Sequence, residues 1–270
     1  MLRVRILTAV VLSSLLLVGL FVLPPRWTMW VFGAVLAVGA WEWGRFGALY
    51  RAPARLAYAC AIVLLWVECW YWTRDLKHLL ALLSIACLWW SVAFFWLVLA
   101  PERHRPGLAL LCGVPVLVPA FVAMAKLEIA SHGSVRGPQI LLWLLLLVIA
   151  SDIGAFFAGR AFGKRKLAPR VSPGKTWEGA FGGLTAVALV ACAAAVYFHL
   201  PAAPCVAFGC AVGIFSVVGD LTESMFKRSA GLKDSGALLP GHGGMLDRID
   251  SVTAAAPFYA LGLFGSGVIA

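Results

Sequence analysis

The residues best suited to chemistry crowd one stretch near the C-terminal end. Asp220, Glu223, Ser224 and Lys227 recur at i, i+3, i+4 and i+7, so on a helix they share one face. Asp247 and Asp250 are three apart and share a face at the start of another helix. Carboxylates from two helices can converge on a hard divalent cation. Mg²⁺ prefers oxygen ligands and keeps waters and substrate phosphates as its others. Lys227, Arg228, Lys233 and Arg248 supply cations for phosphate, and arginine can bind it bidentately. Between the acids lies Gly241-His242-Gly243-Gly244, whose backbone N–H groups carry little steric cover. Taken singly, each Asp is as well explained as a salt-bridge partner or a helix cap. As a set, paired charges in an apolar chain point to metal-assisted phosphoryl or nucleotidyl transfer. Such chemistry needs positioning and charge neutralisation and no covalent nucleophile.

A second polar stretch lies upstream. Asp152 closes an apolar run and is followed by small residues, Gly154, Ala155, Ala158 and Gly159, and then by Arg160. Small residues let a neighbouring helix approach closely, so Asp152 is expected to face a polar cavity. Next come Lys164, Arg165 and Lys166, then Ser172-Pro173-Gly174-Lys175-Thr176-Trp177-Glu178-Gly179. Gly174-Lys175-Thr176 is not a P-loop, because the first glycine of that motif would fall on Pro169 and no buried strand precedes it. The expectation is a basic loop entering a helix, with Ser172 as its N-cap. Lys175 suits phosphate, whereas Lys164, Lys166 and Arg170 suit attachment to a membrane surface.

The elements that must position these residues are membrane helices. The chain has 270 residues, 62% hydrophobic and 13% charged, about half the charged fraction of a soluble domain. Runs of roughly 20 apolar residues suffice to cross a bilayer. An all-α polytopic membrane protein is predicted, with about nine spans near 6–23, 27–44, 56–73, 79–99, 107–125, 138–158, 179–198, 202–219 and 252–269. Pro24-Pro25-Arg26 follows the first run where a cleavage site would need small residues, so that run reads as an uncleaved span. Residues 1–137 read as a scaffold of about five spans. Residues 138–270 read as the catalytic region, with polar loops 159–178 and 220–251. If the N-terminus is cytoplasmic, seventeen of the twenty-two Lys and Arg fall inside, so both loops are cytoplasmic and the C-terminus lies outside.

Other polar residues carry less. Glu42, between Trp41 and Trp43 near a cytoplasmic end, can reach water, and Glu68 lies near a span end. His78, His104, His132 and His199 sit in loops or at span ends. Seven scattered cysteines, with no C-x-x-C pair, suggest neither a disulfide frame nor a zinc site. The basic residues are dispersed, which argues against nucleic acid.

The run from Ser224 through Lys227-Arg228, Lys233-Asp234, Gly236, Leu239-Pro240-Gly241-His242-Gly243-Gly244 and Leu246-Asp247-Arg248-Ile249-Asp250 resembles the signature of the phosphatidate cytidylyltransferases, or CDP-diacylglycerol synthases. Asp152, Gly159-Arg160, Gly163-Lys164 and Ser172 to Gly179 resemble the same family. Gly174 departs from it where a lysine is common, so a phosphate role there rests on Lys175. The resemblance implies that CTP and phosphatidate give CDP-diacylglycerol and pyrophosphate at the cytoplasmic (inner) membrane. It implies Mg²⁺, with room for a second cation. Asp220, Asp247 and Asp250 are expected at the metal. Lys227, Arg228, Lys233, Arg248, Lys175 and Asp152 are expected around substrate phosphates, and Ser224, His242, Gly243 and Gly244 are expected to orient substrate. A homodimer is left open. Two rivals stand: a related enzyme (a cytidylyltransferase or CTP-dependent kinase for another lipid) and an ion-coupled transporter. A transporter should carry mid-span charges and repeated halves, and neither is visible.

Overall fold

The computed structural model describes residues 14–101, 106–132, 135–238 and 243–269. Helix α1 is described over residues 14–21. It is followed by α2 (Pro25–Trp43), α3 (Ala52–Trp72), α4 (Leu76–Leu99), α5 (Pro106–Ile129), α6 (Gly137–Phe162), α7 (Trp177–Tyr197), α8 (Ala202–Ser229) and α9 (Leu246–Gly265). Among the described residues, α3 to α8 are six helices long and apolar enough to cross a membrane. The chain is therefore a polytopic helical membrane protein. Two small antiparallel hairpins depart from the all-α expectation: β1 (Ser131–His132) with β2 (Val135–Arg136), and β3 (Lys166–Ala168) with β4 (Ser172–Thr176).

Helix α5 is the central post. Of its most apolar window 72% is buried, against 17% to 33% in the other five membrane helices. It packs on α2, α3, α4, α6 and α9. Side chains such as Leu64, Ile85, Val92 and Phe95 on α3 and α4 stay exposed, as expected where lipid replaces water. Pro115 and Pro119 lie within α5, and a proline removes one ladder hydrogen bond. Just upstream, the Trp43 indole donates to the Ala109 carbonyl at 2.7 Å and the Tyr58 hydroxyl to the Leu110 carbonyl at 2.9 Å. Both are extra bonds to the first turns of α5, one from α2 and one from α3, and they tie these helices together. Gly113 leaves space for both, since a Cβ there would lie 2.7 Å from the Trp43 ring.

Helices α6 and α7 approach at the distance of backbone contact. A Cβ on Gly154 would lie 2.6 Å from the Gly182 carbonyl, and one on Gly183 2.7 Å from that of Ser151. Close approach by small residues is the usual means of helix association in lipid. Helix α8 continues as one helix to Ser229, ten residues beyond the expected span end at 219. The acids of that stretch therefore lie on a helical face. Helix α9 packs against α4, α5, α6 and α8 and also reaches α2.

All seven cysteines are free thiols. Glu68 is exposed on α3. The expected N-cap at Ser172 is corrected: Ser172 begins β4, paired with Ala168. The cap of α7 is Thr176, whose hydroxyl oxygen accepts from the Gly179 N–H at 3.2 Å.

Candidate active site

The site forms where α6, α8, α9 and the β3–β4 hairpin meet. Gly219 lets α8 and α9 close on each other, because a Cβ there would lie 2.6 Å from the Asp250 carbonyl. That approach brings Asp220 and Glu223 on α8 beside Asp250 on α9, close enough for their charges to interact. The hairpin then lays Lys175 over α8, and its ammonium meets Asp220 Oδ2 at 2.6 Å. The Ser224 hydroxyl donates to Asp220 Oδ1 at 3.4 Å. On α6, Asp152 feels the charges of Asp220, Lys175 and Arg248.

Lys227 is the buried hub. It is 8% exposed and lies 2.6 Å from Asp247 Oδ1 and 3.1 Å from Glu223 Oε1. A buried ammonium is costly to desolvate unless acids flank it, and here two do. Asp247 Oδ2 accepts the N–H groups of Ser235 at 3.0 Å and Gly244 at 2.8 Å, and lies 2.9 Å from the Ser235 hydroxyl. Burial pushes the Asp247 carboxyl up, but Lys227 and those donors outweigh it and hold the group below the usual carboxylate range. The local backbone follows from this anchor. Gly243 has φ +78°, a left-handed conformation suited to glycine, and a Cβ there would lie 2.8 Å from Asp247 Oδ2.

A cavity of about 430 Å³ opens from the charged cluster. Its lining includes Asp152, Arg160, Lys175 and Asp220. Interleaved with them are apolar or small residues, Ala155, Phe156, Gly159, Ala180 and Val217, from the membrane helices. Phe156 is exposed on α6, so this mixed lining reaches the outer face of the helix bundle.

The expected residues thus divide. Asp152, Lys175, Asp220, Ser224, Lys227, Asp247, Asp250 and Arg248 are drawn together by contact or charge. Arg228 is turned away to backbone: its guanidinium donates to the Leu232 carbonyl at 3.2 Å and the Val171 carbonyl at 3.5 Å, pinning the β3–β4 turn to α8. Lys233 is exposed. The Gly244 N–H is spent on Asp247, so it is not open to phosphate as expected. His242 lies outside the described residues, as do Pro240 and Gly241. Glu42 is corrected: it is 3% exposed and does not reach water. It accepts the N–H groups of Met245 at 3.1 Å and Leu246 at 2.8 Å, and the Ser235 hydroxyl lies 3.0 Å away. Ser235, fully buried, and Glu42 were not among the expected site residues. A carboxylate placed next to Trp43 in an apolar helix was the only signal for Glu42, and Ser235 gave none.

The donor set can be tested against a cation. Among the described residues, no three His, Cys, Asp or Glu side chains close on one point as a complete metal cage. Five carboxylates (Asp152, Asp220, Glu223, Asp247 and Asp250) nevertheless face three cations (Lys175, Lys227 and Arg248). Both Asp247 oxygens are occupied by donors. Among the described residues, Asp220 Oδ1 has only the long contact to Ser224, and Asp250 accepts one N–H, from Ser251 at 2.8 Å. Two partly free carboxylates with excess negative charge fit Mg²⁺, which takes one or two protein carboxylates and fills its sphere with water and substrate phosphate.

Comparison with known proteins agrees with this chemistry. A sequence profile described as "Cytidylyltransferase family" matches residues 3–264. The Pseudomonas aeruginosa protein named "Phosphatidate cytidylyltransferase" is 42% identical over 280 residues, covering 99% of this chain and 98% of its own length. The Haemophilus influenzae protein of the same name is 40% identical over 286 residues, covering 96% and 98%. "Phosphatidate cytidylyltransferase 5, chloroplastic" of Arabidopsis thaliana is 51% identical over 106 residues, which are 38% of this chain and 26% of that one.

Proposed function

The chain belongs to the cytidylyltransferase family, and from that premise we propose that it transfers CMP from CTP to phosphatidate, forming CDP-diacylglycerol. The observation that carries the substrate reading is the mixed charged and apolar lining of the cavity. Its apolar residues Ala155, Phe156 and Ala180 suit the glycerol and upper acyl chains, and its cations Lys175 and Arg160 suit a phosphate. In the reaction, an oxygen of the lipid phosphate forms a bond to the α-phosphorus of CTP. The bond from that phosphorus to the bridging oxygen breaks, and pyrophosphate leaves. The attacking phosphate monoester is largely dianionic near pH 7, so no general base is required.

The residues divide the work. Lys175, now paired with Asp220, is placed to swing to a phosphate oxygen, and Arg160 and Arg248 flank the same space. Lys227, fixed between Glu223 and Asp247, offers a positive charge that does not wander. Ser224 holds the Asp220 carboxylate. Asp220 and Asp250 are the acids that would hold Mg²⁺, with Asp247 serving Lys227 instead. When bound, the ion would neutralise triphosphate oxygens and the charge that builds on them during transfer. Lys233 is exposed and is free to meet an arriving nucleotide.

About nine spans, with the N-terminus and the 159–178 and 220–251 segments in the cytoplasm, complete the proposal. The distribution of Lys and Arg supports that orientation, and it puts the site where CTP is present, at the cytoplasmic (inner) membrane. Purified protein supplied with Mg²⁺, CTP and phosphatidate in mixed micelles should form CDP-diacylglycerol and release pyrophosphate. Absence of product with phosphatidate, alongside product from another lipid phosphate, would reassign the substrate.

A further inference from the structure

The strongest polar network outside the cavity joins α2 to the start of α9. Met245 has helical backbone angles, φ −64° and ψ −41°, and its side chain provides no cap for α9. The first N–H groups of a helix need acceptors, and a carboxylate is favoured there by the helix dipole. Glu42, from α2, fills that need: Oε1 takes the Met245 N–H and Oε2 takes the Leu246 N–H. Asp247 is the next residue along.

The same carboxylate meets Ser235, every polar group of which is engaged. The Ser235 N–H donates to Asp247 Oδ2, its hydroxyl lies 3.0 Å from Glu42 Oε2 and 2.9 Å from Asp247 Oδ2, and its carbonyl accepts from Arg45 at 2.7 Å. The fit leaves no space for side chains. A Cβ on Gly236 would strike Glu42, and one on Gly244 would strike both Ser235 and Glu42. Glu42 is itself firmly mounted, because Trp43 is bonded to α5 and the Arg55 guanidinium donates to the Trp41 carbonyl at 2.9 Å while stacking on its ring.

Resting on the transfer reading above, we infer that Glu42, with Ser235 and Arg45, is a positioning unit for the reaction. It sets the start of α9 and so the placement of Asp247 and, through it, the Lys227 ammonium. The unit touches no substrate. Its effect is therefore on turnover and not on nucleotide affinity.

The test uses the full-length protein with Glu42→Gln, Ser235→Ala and the double variant. Buried hydrogen bonds to charged groups are worth enough to lower kcat about tenfold to a hundredfold in each single variant. KM for CTP should stay within about threefold. Because both residues act through Asp247, the double variant should be no slower than the slower single. Wild-type kcat in Glu42→Gln, or losses that multiply in the double variant, would overturn the inference. If the wild type itself makes no CDP-lipid, the transfer reading fails on its own. Amide hydrogen exchange then still decides the positioning unit: Glu42→Gln should speed exchange about tenfold or more at residues 244–248 and leave the α6–α7 contact unchanged. Unchanged exchange at 244–248, or faster exchange throughout the protein, would overturn it.

Discussion

Lys227 and Asp247 show how this protein keeps charge inside an apolar chain. Neither is tolerable alone: an unpaired buried charge costs several kcal/mol, and removing one partner of such a pair exposes that cost. Here Asp247 is matched by Lys227 on one oxygen and by three donors around the other. Asp247→Asn replaces a carboxylate oxygen with a donor that faces either the ammonium or the N–H groups. Glu223 still stands 3.1 Å from Lys227, so the variant should fold and insert. Its turnover should fall by about two orders of magnitude or more, measured as kcat on protein that elutes as a single species in detergent. Near-normal turnover would remove Asp247 from the machinery. At this scale much was visible in the sequence, since helical spacing alone puts Asp220, Glu223, Ser224 and Lys227 together. Glu42 was not legible, because its partners lie at Ser235, Met245 and Leu246, about 200 residues later. Spacing rules describe neighbours within an element and are silent about contacts of that range.

Among the elements, the β3–β4 hairpin and α7 form one device. The hairpin runs directly into α7, with the Trp177 N–H bonded to the Arg165 carbonyl at 2.9 Å and Thr176 capping the helix. Lys175 is the residue before that cap, so the start of α7 sets where its ammonium points. Thr176→Ala should cost about 1 kcal/mol, a typical loss for a removed N-cap, and Thr176→Ser should keep most of it. The thermal midpoint followed by tryptophan fluorescence in detergent reads the difference. Equal midpoints for the two variants would show that the cap contributes nothing. The hairpin escaped sequence reading for a physical reason. Its strands are short and polar, with Pro173 and Gly174 inside β4, so they carry no apolar alternation. A basic loop and a two-stranded hairpin look alike at that length. The acidic helices were easier, because continuation of α8 past Asp220 needs only the absence of a breaker.

For the whole molecule, the division of labour is less sharp than a scaffold followed by a catalytic half. Helix α9, which carries Asp247 and Asp250, rests on α4 and α5 as well as on α6 and α8, and α2 supplies Glu42 to its start. Membrane helices gain little from apolar burial against one another when lipid is equally apolar. Polar contacts of this kind therefore carry much of the specificity that holds α2 against the catalytic segments. The proposed orientation is open to direct labelling. In a variant with the seven cysteines replaced, Gly174→Cys occupies open space in the hairpin and Ser131→Cys an exposed strand. An impermeant maleimide added to intact cells should label position 131 at once and position 174 only after permeabilisation. The opposite pattern would invert the topology.

The central claim, that CMP moves from CTP to a lipid phosphate, is tested most directly by the fate of label at two positions of CTP. With phosphatidate and Mg²⁺, label at the α-phosphorus should appear in the lipid product, and label at the γ-phosphorus should appear only in pyrophosphate. Label from the γ-position entering the lipid, or no lipid labelled from the α-position, would contradict the account.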